Sequence, residues 1–454
     1  MQLLFAHDDT SQAPAIRYGA EALLSDLGVD LIPVSYRELP AGSGSLPLIS
    51  YGRELPAWSG RPHLHIRASG LFGEDFLRPA SLPDASGHPP IPYSASGEPE
   101  ARAPGRLITS LDLVASAFFM ASRYEEALAP ERDRVGRFSA AQSYAHRRGL
   151  LGRPLVDAWG EQVREWLQDL GWPIERPDRP FLIGLSHDID RVSGGWAEAV
   201  YHELKHIRPA AVASVLARRL GGRDPYWSFD RILDLESRYG VRSTFYFLQR
   251  TGEARDARYD MASARFQKLF EVLRAGGWEI GLHGSYRSLE RDTLAREREQ
   301  LASVAGVEVI GGRQHYLRFD VRNAWPRIEA AGLGYDSSLG YADELGFRAG
   351  LARPFHPFDL ERRQPCRLWE VPLVVMDTTL RTYLRLPVAE AMDRILPVLE
   401  AVRDHRGAVA LLWHNTFFAG HKFAGYGEVY EQILRWAAEN GGRCVPVRDL
   451  IPNR

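Results

Sequence analysis

FLIGLSHDIDRV, residues Phe181–Val192, joins an apolar run to a cluster of acidic residues. Its first five residues carry no charge, which is typical of a strand buried inside a sheet. The run continues directly into Asp188 and Asp190, so both carboxylates lie at the end of that strand. Because side chains alternate along an extended segment, the two aspartates face one side and His187 faces the other. We therefore expect two carboxylates to converge at one point.

Predicted strands and helices alternate from this stretch to the end of the chain. After the strand at 181–186, strands are predicted at 242–248, 279–283, 307–312, 368–376, 408–414 and 443–447, and helices at 228–240, 263–277, 289–306, 323–332, 388–405 and 426–440. Such alternation implies parallel strands joined by right-handed crossovers. Because candidate reactive residues follow several strand ends, we predict a distorted or incomplete (β/α) barrel, in which these ends share one rim.

Residues 1–178 are predicted to form a separate N-terminal α/β domain of unknown role. Its predicted elements are strand, helix and strand within residues 2–35, short strands and long loops within 41–105, and helices at 110–128 and 156–172. A charged, proline-punctuated stretch at 173–180 is typical of an interdomain linker. We therefore place the barrel domain at residues 179–454.

The composition excludes several functional classes. The chain has 56 Lys and Arg against 58 Asp and Glu, so a net charge of -2 attracts it neither to nucleic acid nor to an anionic membrane. Two cysteines exclude a disulfide framework and a metal site made of cysteines alone. No apolar run approaches the ~20 residues of a membrane span, and the N-terminus MQLLFAHDDTSQ is unlike a secretory signal. We expect a cytoplasmic protein and leave its oligomeric state open.

Residues capable of chemistry follow the ends of later predicted strands. They are His283, Arg313, His315 and His414. A single histidine at a strand end is more often structural than catalytic, but several strand ends with Asp and His indicate a shared site. A divalent metal held by His and Asp, with one position open for water, is the simplest use of such a set, and Zn²⁺ is the favoured ion. One aspartate would bind the metal, the other would be a general base, and a histidine would be a general acid.

The chain resembles the polysaccharide deacetylase family, the carbohydrate esterases with a nodulation-type deacetylase homology domain. The segments SHDID, STFYFL, HGSYRS, RQHY and LLWH occur in the order and approximate spacing of the five motifs of that family. The resemblance covers about Phe181–Val447. The preceding part resembles an uncharacterised domain that comes before this catalytic domain in one bacterial subgroup. The resemblance implies metal-dependent removal of an N-acetyl group from a carbohydrate.

The resemblance also implies a role for each matching residue. Asp188 matches the catalytic base of the family, and Asp190 matches its metal-binding aspartate. His283 matches the first histidine of the metal motif. Arg313 matches the arginine that pairs with the base, and His414 matches the general acid.

Arg287 departs from the family pattern at the position of the second metal histidine, four residues after His283. An arginine cannot ligate a metal, so either the third ligand comes from elsewhere or the metal is absent. His315 occupies a position at which the family usually has proline, and we predict that it supplies the missing ligand. His187 is the runner-up for this role. It is disfavoured because strand alternation turns it away from the aspartates.

Four residues are predicted to contact the substrate. Leu412 matches the leucine that lines the acetyl pocket of the family. Tyr316 and Trp413 could stack on a sugar face, although aromatic residues at a barrel rim commonly serve packing. Asp336 lies in the turn-rich segment YDSSLGYADELGF, where it either contacts the substrate or caps a turn. The expected substrate is an N-acetylated sugar or a polysaccharide precursor.

Two other functions stay open on the sequence. The same site could remove the acyl group of a small amide that is not a sugar. Alternatively, the protein could bind sugar without catalysis on a decayed deacetylase fold, an interpretation motivated by Arg287. Metal content distinguishes the enzyme from the decayed site.

Overall fold

The computed structural model describes residues 2–8, 11–39, 46–57, 62–83, 91–222 and 224–452. Parts of the segment at 41–105 for which loops were predicted lie outside the described residues. Within these residues, no helix combines the length and the apolar character that crossing a bilayer requires.

A six-stranded sheet forms the centre of the N-terminal region. Its strands are β1 (Gln2–His7), β2 (Asp30–Ser35), β3 (Leu48–Gly52), β4 (His63–Arg67), β5 (Glu100–Ala103) and β6 (Arg106–Thr109). The strand order is β2-β1-β3-β4-β6-β5, and each neighbouring pair is parallel except β5 with β6. The helices are α1 (Ala13–Leu24), α2 (Leu113–Ala121), α3 (Tyr124–Leu128), α4 (Tyr144–Arg147) and α5 (Leu155–Asp169). The strand, helix and strand predicted within residues 2–35 are present as β1, α1 and β2.

A second, larger sheet follows and is entirely parallel. Its strands are β7 (Leu182–Ile189), β8 (Thr244–Leu248), β9 (Glu279–Gly284), β10 (Gly311–Gln314), β11 (Tyr335–Asp336), β14 (Trp369–Glu370), β15 (Leu373–Met376), β16 (Ala408–Leu412) and β17 (Arg443–Pro446), and a separate hairpin contains β12 (Phe358–Asp359) and β13 (Gln364–Pro365). The order β14-β11-β10-β9-β8-β7-β16-β15 gives eight strands, and β17 pairs with β7 beside them. This curled parallel half-barrel, together with the N-terminal α/β region, confirms the predicted fold class of a distorted or incomplete (β/α) barrel.

The helices of this second region lie between its strands along the chain. They are α6 (Gly195–Lys205), α7 (Pro209–Leu220), α8 (Phe229–Arg238), α9 (Ala264–Gly276), α10 (Leu294–Ala305), α11 (Ala324–Ala330), α12 (Ala391–Asp404) and α13 (Tyr426–Glu439). The sequence pattern did not predict α6 and α7. Both helices leave large apolar side chains in solvent, including Leu204 of α6 and Leu220 of α7, and Val215 is the buried residue of α7. Because few residues of either helix are buried, neither needs the broad apolar stripe by which a helix is recognised in a sequence.

The prediction of a single helix at 110–128 is wrong in one respect. The segment forms two helices, α2 and α3. Arg123 lies between them in the left-handed region at φ 54°, which an α-helix cannot contain. Its fully buried guanidinium forms ion pairs with Glu125 and Glu126. Asp112 caps α2 by accepting a hydrogen bond from the backbone N–H of Ala115 at 2.9 Å.

The strand predicted at 368–376 also divides into two, β14 and β15. Pro372 lies between them and has no N–H to donate to a sheet. The two short strands are adjacent in sequence but occupy opposite ends of the eight-strand order. The half-barrel is therefore open at this point.

The N-terminal region packs directly against the half-barrel. One continuous cluster of buried hydrophobic residues includes members of both regions. Polar contacts reinforce it, because Arg348 donates to Glu126 at 2.6 Å and the backbone N–H of Ala352 donates to Asp157 at 2.6 Å. The predicted domain boundary near residue 178 falls between α5 and β7. We propose that residues 1–178 and 179–454 are two domains.

Candidate metal and catalytic site

Asp188 is held at the end of β7 by a buried arginine. The strand extends to Ile189 and therefore includes Asp188. Arg313, at the end of β10, donates from Nη1 to Asp188 Oδ1 at 2.9 Å and to Ser186 Oγ at 2.8 Å, and its Nε donates to the Ser337 carbonyl at 2.7 Å. Burial disfavours the charge of this guanidinium, but the nearby Asp188 raises the pKa of Arg313 above its ordinary value. The Asp188 carboxylate is thus fixed in one orientation.

Asp190, His283 and His315 meet at the rim beside Asp188. One ligand-capable atom from each of the three lies within 4.8 Å of the others. Asp190 Oδ1 is 3.3 Å from His283 Nε2 and 3.6 Å from His315 Nε2. The same oxygen is buried, and the described residues provide no hydrogen-bond partner for it. The structure therefore brings together the three residues that the sequence nominated as metal ligands.

The second nitrogen of each imidazole in this cluster faces a protein acceptor. His283 Nδ1 donates to the Arg313 carbonyl oxygen at 2.9 Å, which leaves Nε2 directed toward Asp190. His315 Nδ1 lies 3.4 Å from Asp256 Oδ1. Carboxylate or carbonyl partners of this kind orient metal-binding histidines and fix their tautomers. Both imidazoles are therefore presented through Nε2.

The charges around the cluster favour a cation. Burial lowers the pKa of a histidine, yet Asp190 and Asp256 together raise the pKa of His315 to about 9. Burial likewise opposes ionisation of Asp190, but the imidazoles of His315 and His283 hold the pKa of that carboxyl well below its usual range. The carboxylates thus stabilise positive charge at this point of the rim.

His414 approaches the cluster from the opposite side, just after β16. Its Nδ1 donates to Asp377 Oδ1 at 2.7 Å, and its backbone N–H donates to Asp377 Oδ2 at 2.5 Å. Its Nε2 lies 3.7 Å from Asp190 Oδ2. Burial alone would lower the pKa of His414, but Asp377, and more weakly Asp190 and Asp188, raise it to about 10. At neutral pH this imidazole carries a proton that it can donate.

Arg287 lies outside this cluster. About half of its side chain is exposed, and its Nε is 3.9 Å from Glu290. The arginine therefore does not occupy the place of the third ligand.

His187 faces away from the aspartates, as strand alternation predicted. Its Nε2 lies 2.9 Å from Glu236 Oε1, and its Nδ1 contacts the Trp413 carbonyl. Glu236 is fully buried and also accepts hydrogen bonds from Tyr430 at 2.8 Å and Trp278 at 2.6 Å. His187 therefore belongs to a buried polar network behind the strand.

His187→Ala is expected to destabilise the fold without removing metal. The change takes one donor from the buried Glu236 carboxylate, and an unsatisfied buried group costs about 1–3 kcal/mol. Chemical denaturation should show a free energy of unfolding that is lower by about this amount, and metal analysis should give the wild-type content. Loss of metal at unchanged stability would instead make His187 a ligand.

The residues nominated for substrate contact differ in exposure. Asp336 is fully buried, and its oxygens accept hydrogen bonds from the N–H of Ser338 at 2.8 Å and its hydroxyl at 3.0 Å. Burial raises the pKa of Asp336 to about 6. Trp413 is also fully buried and packs near Tyr430, so neither Asp336 nor Trp413 offers a surface to a sugar. Leu412 is 1% exposed, whereas Tyr316 is 41% exposed.

Two carboxylates of the site were missed from the sequence, Asp377 and Asp256. Asp377 directly follows the buried strand β15, so the rule that found His283 and His414 could have found it. Asp256 lies in the loop between β8 and α9 and is brought to His315 only by the tertiary fold. No sequence signal distinguishes it from its charged neighbours.

A sequence-family model and several solved structures are each similar to part of the chain. A family model described as a family of unknown function (DUF7033) matches residues 7–172. No curated protein gives a significant match to the chain.

Several solved structures are similar to part of the chain. A protein from Mycobacterium smegmatis assigned as a polysaccharide deacetylase is 20% identical, with 58% of this chain and 87% of that chain covered at a TM-score of 0.37. The catalytic domain of a peptidoglycan N-acetylglucosamine deacetylase from Eubacterium rectale is 12% identical, with coverages of 60% and 90% and a TM-score of 0.30. BA3943 from Bacillus anthracis, described as a CE4 family pseudoenzyme, is 11% identical, with coverages of 60% and 66% and a TM-score of 0.32.

Proposed function

We propose that the protein is a metal-dependent hydrolase that removes an N-acetyl group from a sugar or a polysaccharide precursor. One observation carries this proposal: a three-residue cluster able to hold a cation lies between an arginine-bound aspartate, Asp188, and a histidine held by a carboxylate, His414. The cluster supplies a place for a metal, Asp188 a base and His414 an acid. Hydrolysis of an amide needs these three functions together.

The residues of the cluster fit a divalent metal. Two imidazole nitrogens and one carboxylate oxygen form a three-ligand set of the kind that holds catalytic Zn²⁺, and Asp190 Oδ1 is buried without another partner. We therefore assign Asp190, His283 and His315 as the ligands and Zn²⁺ as the favoured ion. When bound, such an ion supplies Lewis acidity, which polarises an acyl carbonyl and lowers the pKa of water.

Asp188 is assigned as the general base. Arg313 holds one of its oxygens, Oδ1, at 2.9 Å, and the other, Oδ2, lies 3.6 Å from His283 Nε2. Oδ2 therefore faces the cluster and can accept a proton from the water that attacks the acyl carbon. Because the guanidinium fixes the carboxylate, its orientation need not be established during the reaction.

His414 is assigned as the general acid. Its Nδ1 is held by Asp377, so Nε2 faces the cluster and can protonate the departing nitrogen. Water is added across the amide C–N bond: the acyl carbon gains the hydroxyl and leaves as acetate, while the sugar nitrogen gains the proton and leaves as an amine. The two proton transfers occur on opposite sides of the bound acyl group.

Acetate release tests this proposal. The full chain, loaded with Zn²⁺, should release acetate from N-acetylated chitooligosaccharides, and a chelator should stop the release until metal is restored. Release of acetate from a small non-sugar amide alone would support a different substrate class. Stoichiometric sugar binding without metal or acetate release would support a non-catalytic protein and contradict the proposal.

Asp377→Asn is expected to shift the alkaline limb of the pH profile. The general acid works only when protonated, so kcat falls as pH rises through the pKa of His414, which Asp377 helps to raise to about 10. Without that carboxylate the pKa of His414 falls toward its ordinary value of about 6.5, and the limb should move to lower pH. A kcat profile measured from pH 6 to pH 10.5 checks this, with metal content as the control. An unmoved alkaline limb would assign the acid to another group.

A further inference from the structure

A side chain from the N-terminal region reaches the rim of the candidate site. Arg137 lies between α3 and α4, and its side chain is 11% exposed. Its Nη1 donates to the Tyr316 carbonyl oxygen at 3.1 Å, and its Nη2 donates to the Tyr383 hydroxyl at 2.8 Å. The guanidinium also lies 5.5 Å from the centroid of the Tyr383 ring. One side chain of the first region thus contacts two residues of the second.

The two tyrosines belong to opposite sides of the open half-barrel. Tyr316 directly follows His315, after β10. Tyr383 ends a π-helical turn, Thr379–Tyr383, that follows β15 and Asp377. Turns of this type are frequent at functional sites. Arg137 therefore connects the side that carries a candidate metal ligand with the side that carries the partner of the candidate acid.

The loop that carries Arg137 is built around this side chain. Asp133 Oδ2 accepts a hydrogen bond from Arg137 Nε at 2.8 Å. Asp133 Oδ1 accepts from the backbone N–H groups of Val135 at 2.9 Å and Arg137 at 2.8 Å. The guanidinium is thus oriented before any ligand arrives, and little of its conformational entropy remains to be lost on binding.

The backbone at Tyr316 needs external support. Tyr316 and Leu317 have φ values of 63° and 52°, in the left-handed region that residues with a side chain rarely adopt. Such conformations persist where the surroundings hold them, and they cluster at functional sites. The Tyr316 ring centroid is 4.5 Å from that of His315. The bond from Arg137 to the Tyr316 carbonyl therefore stabilises the turn that carries the Tyr316 ring.

Both tyrosines expose aromatic surface at the rim. Tyr316 is 41% exposed and Tyr383 is 38% exposed. An exposed aromatic face next to a candidate catalytic centre suits the apolar face of a pyranose ring. Trp413 and Asp336 are buried, so they do not provide such a surface.

We propose that Arg137 is a positioning residue that makes the N-terminal region part of the substrate site, where it holds Tyr316 and Tyr383 as a platform for a pyranose ring. The identity of this ligand rests on the proposed function. Arginine suits the task because its planar fork donates simultaneously to Asp133, a carbonyl and a phenol, which a lysine cannot do in the same geometry. The N-terminal region therefore completes the rim.

Hydrogen–deuterium exchange on the full chain tests the positioning without any substrate. In Arg137→Ala, exchange at residues 315–318 and 379–384 should rise relative to wild type, and Arg137→Lys should change it in the same direction. Arg322→Ala is the matched control, because Arg322 donates to the Ala127 carbonyl across the same interface but has no recorded contact with either tyrosine. Unchanged exchange in both segments in a folded Arg137→Ala protein would overturn the positioning role.

Steady-state kinetics with N-acetylchitotetraose test the platform. Arg137→Ala and Tyr383→Ala should each raise KM about three- to tenfold, the value of one aromatic contact, with kcat within about twofold. Tyr383→Phe keeps the ring but loses the phenol that Arg137 contacts, so its KM should lie between wild type and Tyr383→Ala. The double variant of Arg137→Ala with Tyr383→Ala should be less impaired than the product of the single effects, because the two residues act together.

The two experiments separate failure of this inference from failure of the proposed function. If wild type releases no acetate but exchange rises in Arg137→Ala, the deacetylase proposal fails and the positioning role stands. If wild type is active while the KM of Arg137→Ala and Tyr383→Ala equals that of wild type, the platform is wrong and the deacetylase stands. A fall in kcat with unchanged KM would likewise overturn the platform.

Discussion

Asp188→Asn is expected to lower kcat by about 10²- to 10⁴-fold, the usual contribution of a general base, while metal stays bound. Asparagine has nearly the shape of aspartate, and its amide oxygen can still accept the hydrogen bond from Arg313. The amide cannot take a proton from the attacking water. The ligand atoms of Asp190, His283 and His315 are untouched by the change, so the metal should remain.

Acetate release and metal analysis on the same preparation check this prediction. Asp260→Asn is a suitable control, because this aspartate is exposed in the loop before α9 and its carboxylate accepts a hydrogen bond from the backbone N–H of Ala262. Loss of both metal and turnover in Asp188→Asn would show that the roles of Asp188 and Asp190 are exchanged. Full activity would remove Asp188 from the mechanism.

His315→Ala is expected to abolish both metal binding and turnover. The change removes one of three ligands, and loss of a partner even in the outer shell of a metal site typically costs about 10- to 100-fold in affinity or activity. We therefore expect a larger loss of affinity than this for His315→Ala. Calorimetric titration with Zn²⁺ and metal analysis after dialysis measure it directly.

Arg287→Ala is the matched control for the relocated ligand. Arg287 occupies the sequence position at which a second histidine was expected, but its exposed side chain points toward Glu290. Its removal should leave metal content and kcat close to those of wild type. If His315→Ala retained stoichiometric metal, the third ligand would lie elsewhere and the assignment of His315 would be wrong.

Periodicity predicted most of the elements that position the site. Buried strands followed by amphipathic helices indicated a parallel sheet, and β7, β9 and β16 lie where the apolar runs of the sequence placed them. Because the carboxyl ends of parallel strands share one rim, Asp190, His283 and His414 could be expected to approach one another. Alternation along β7 also predicted that His187 turns away from Asp188.

Features that depend on tertiary contacts could not be predicted in this way. The break at Arg123 depends on a buried guanidinium whose partners include the Arg348 carbonyl, more than 200 residues away in the sequence. Asp256 reaches His315 from a loop, and Arg137 reaches Tyr383 across 246 residues. Local pattern carries no information about such pairs, so the supporting contacts of the site emerge only from the fold.

Anomalous diffraction from crystals of the Zn²⁺-loaded full chain tests the central claim most directly. The expected result is one strong peak at the rim, within about 2.0–2.2 Å of Asp190 Oδ1, His283 Nε2 and His315 Nε2. A peak bound by other residues, or no peak at the rim after loading, would contradict the assignment of a catalytic metal centre to these three residues.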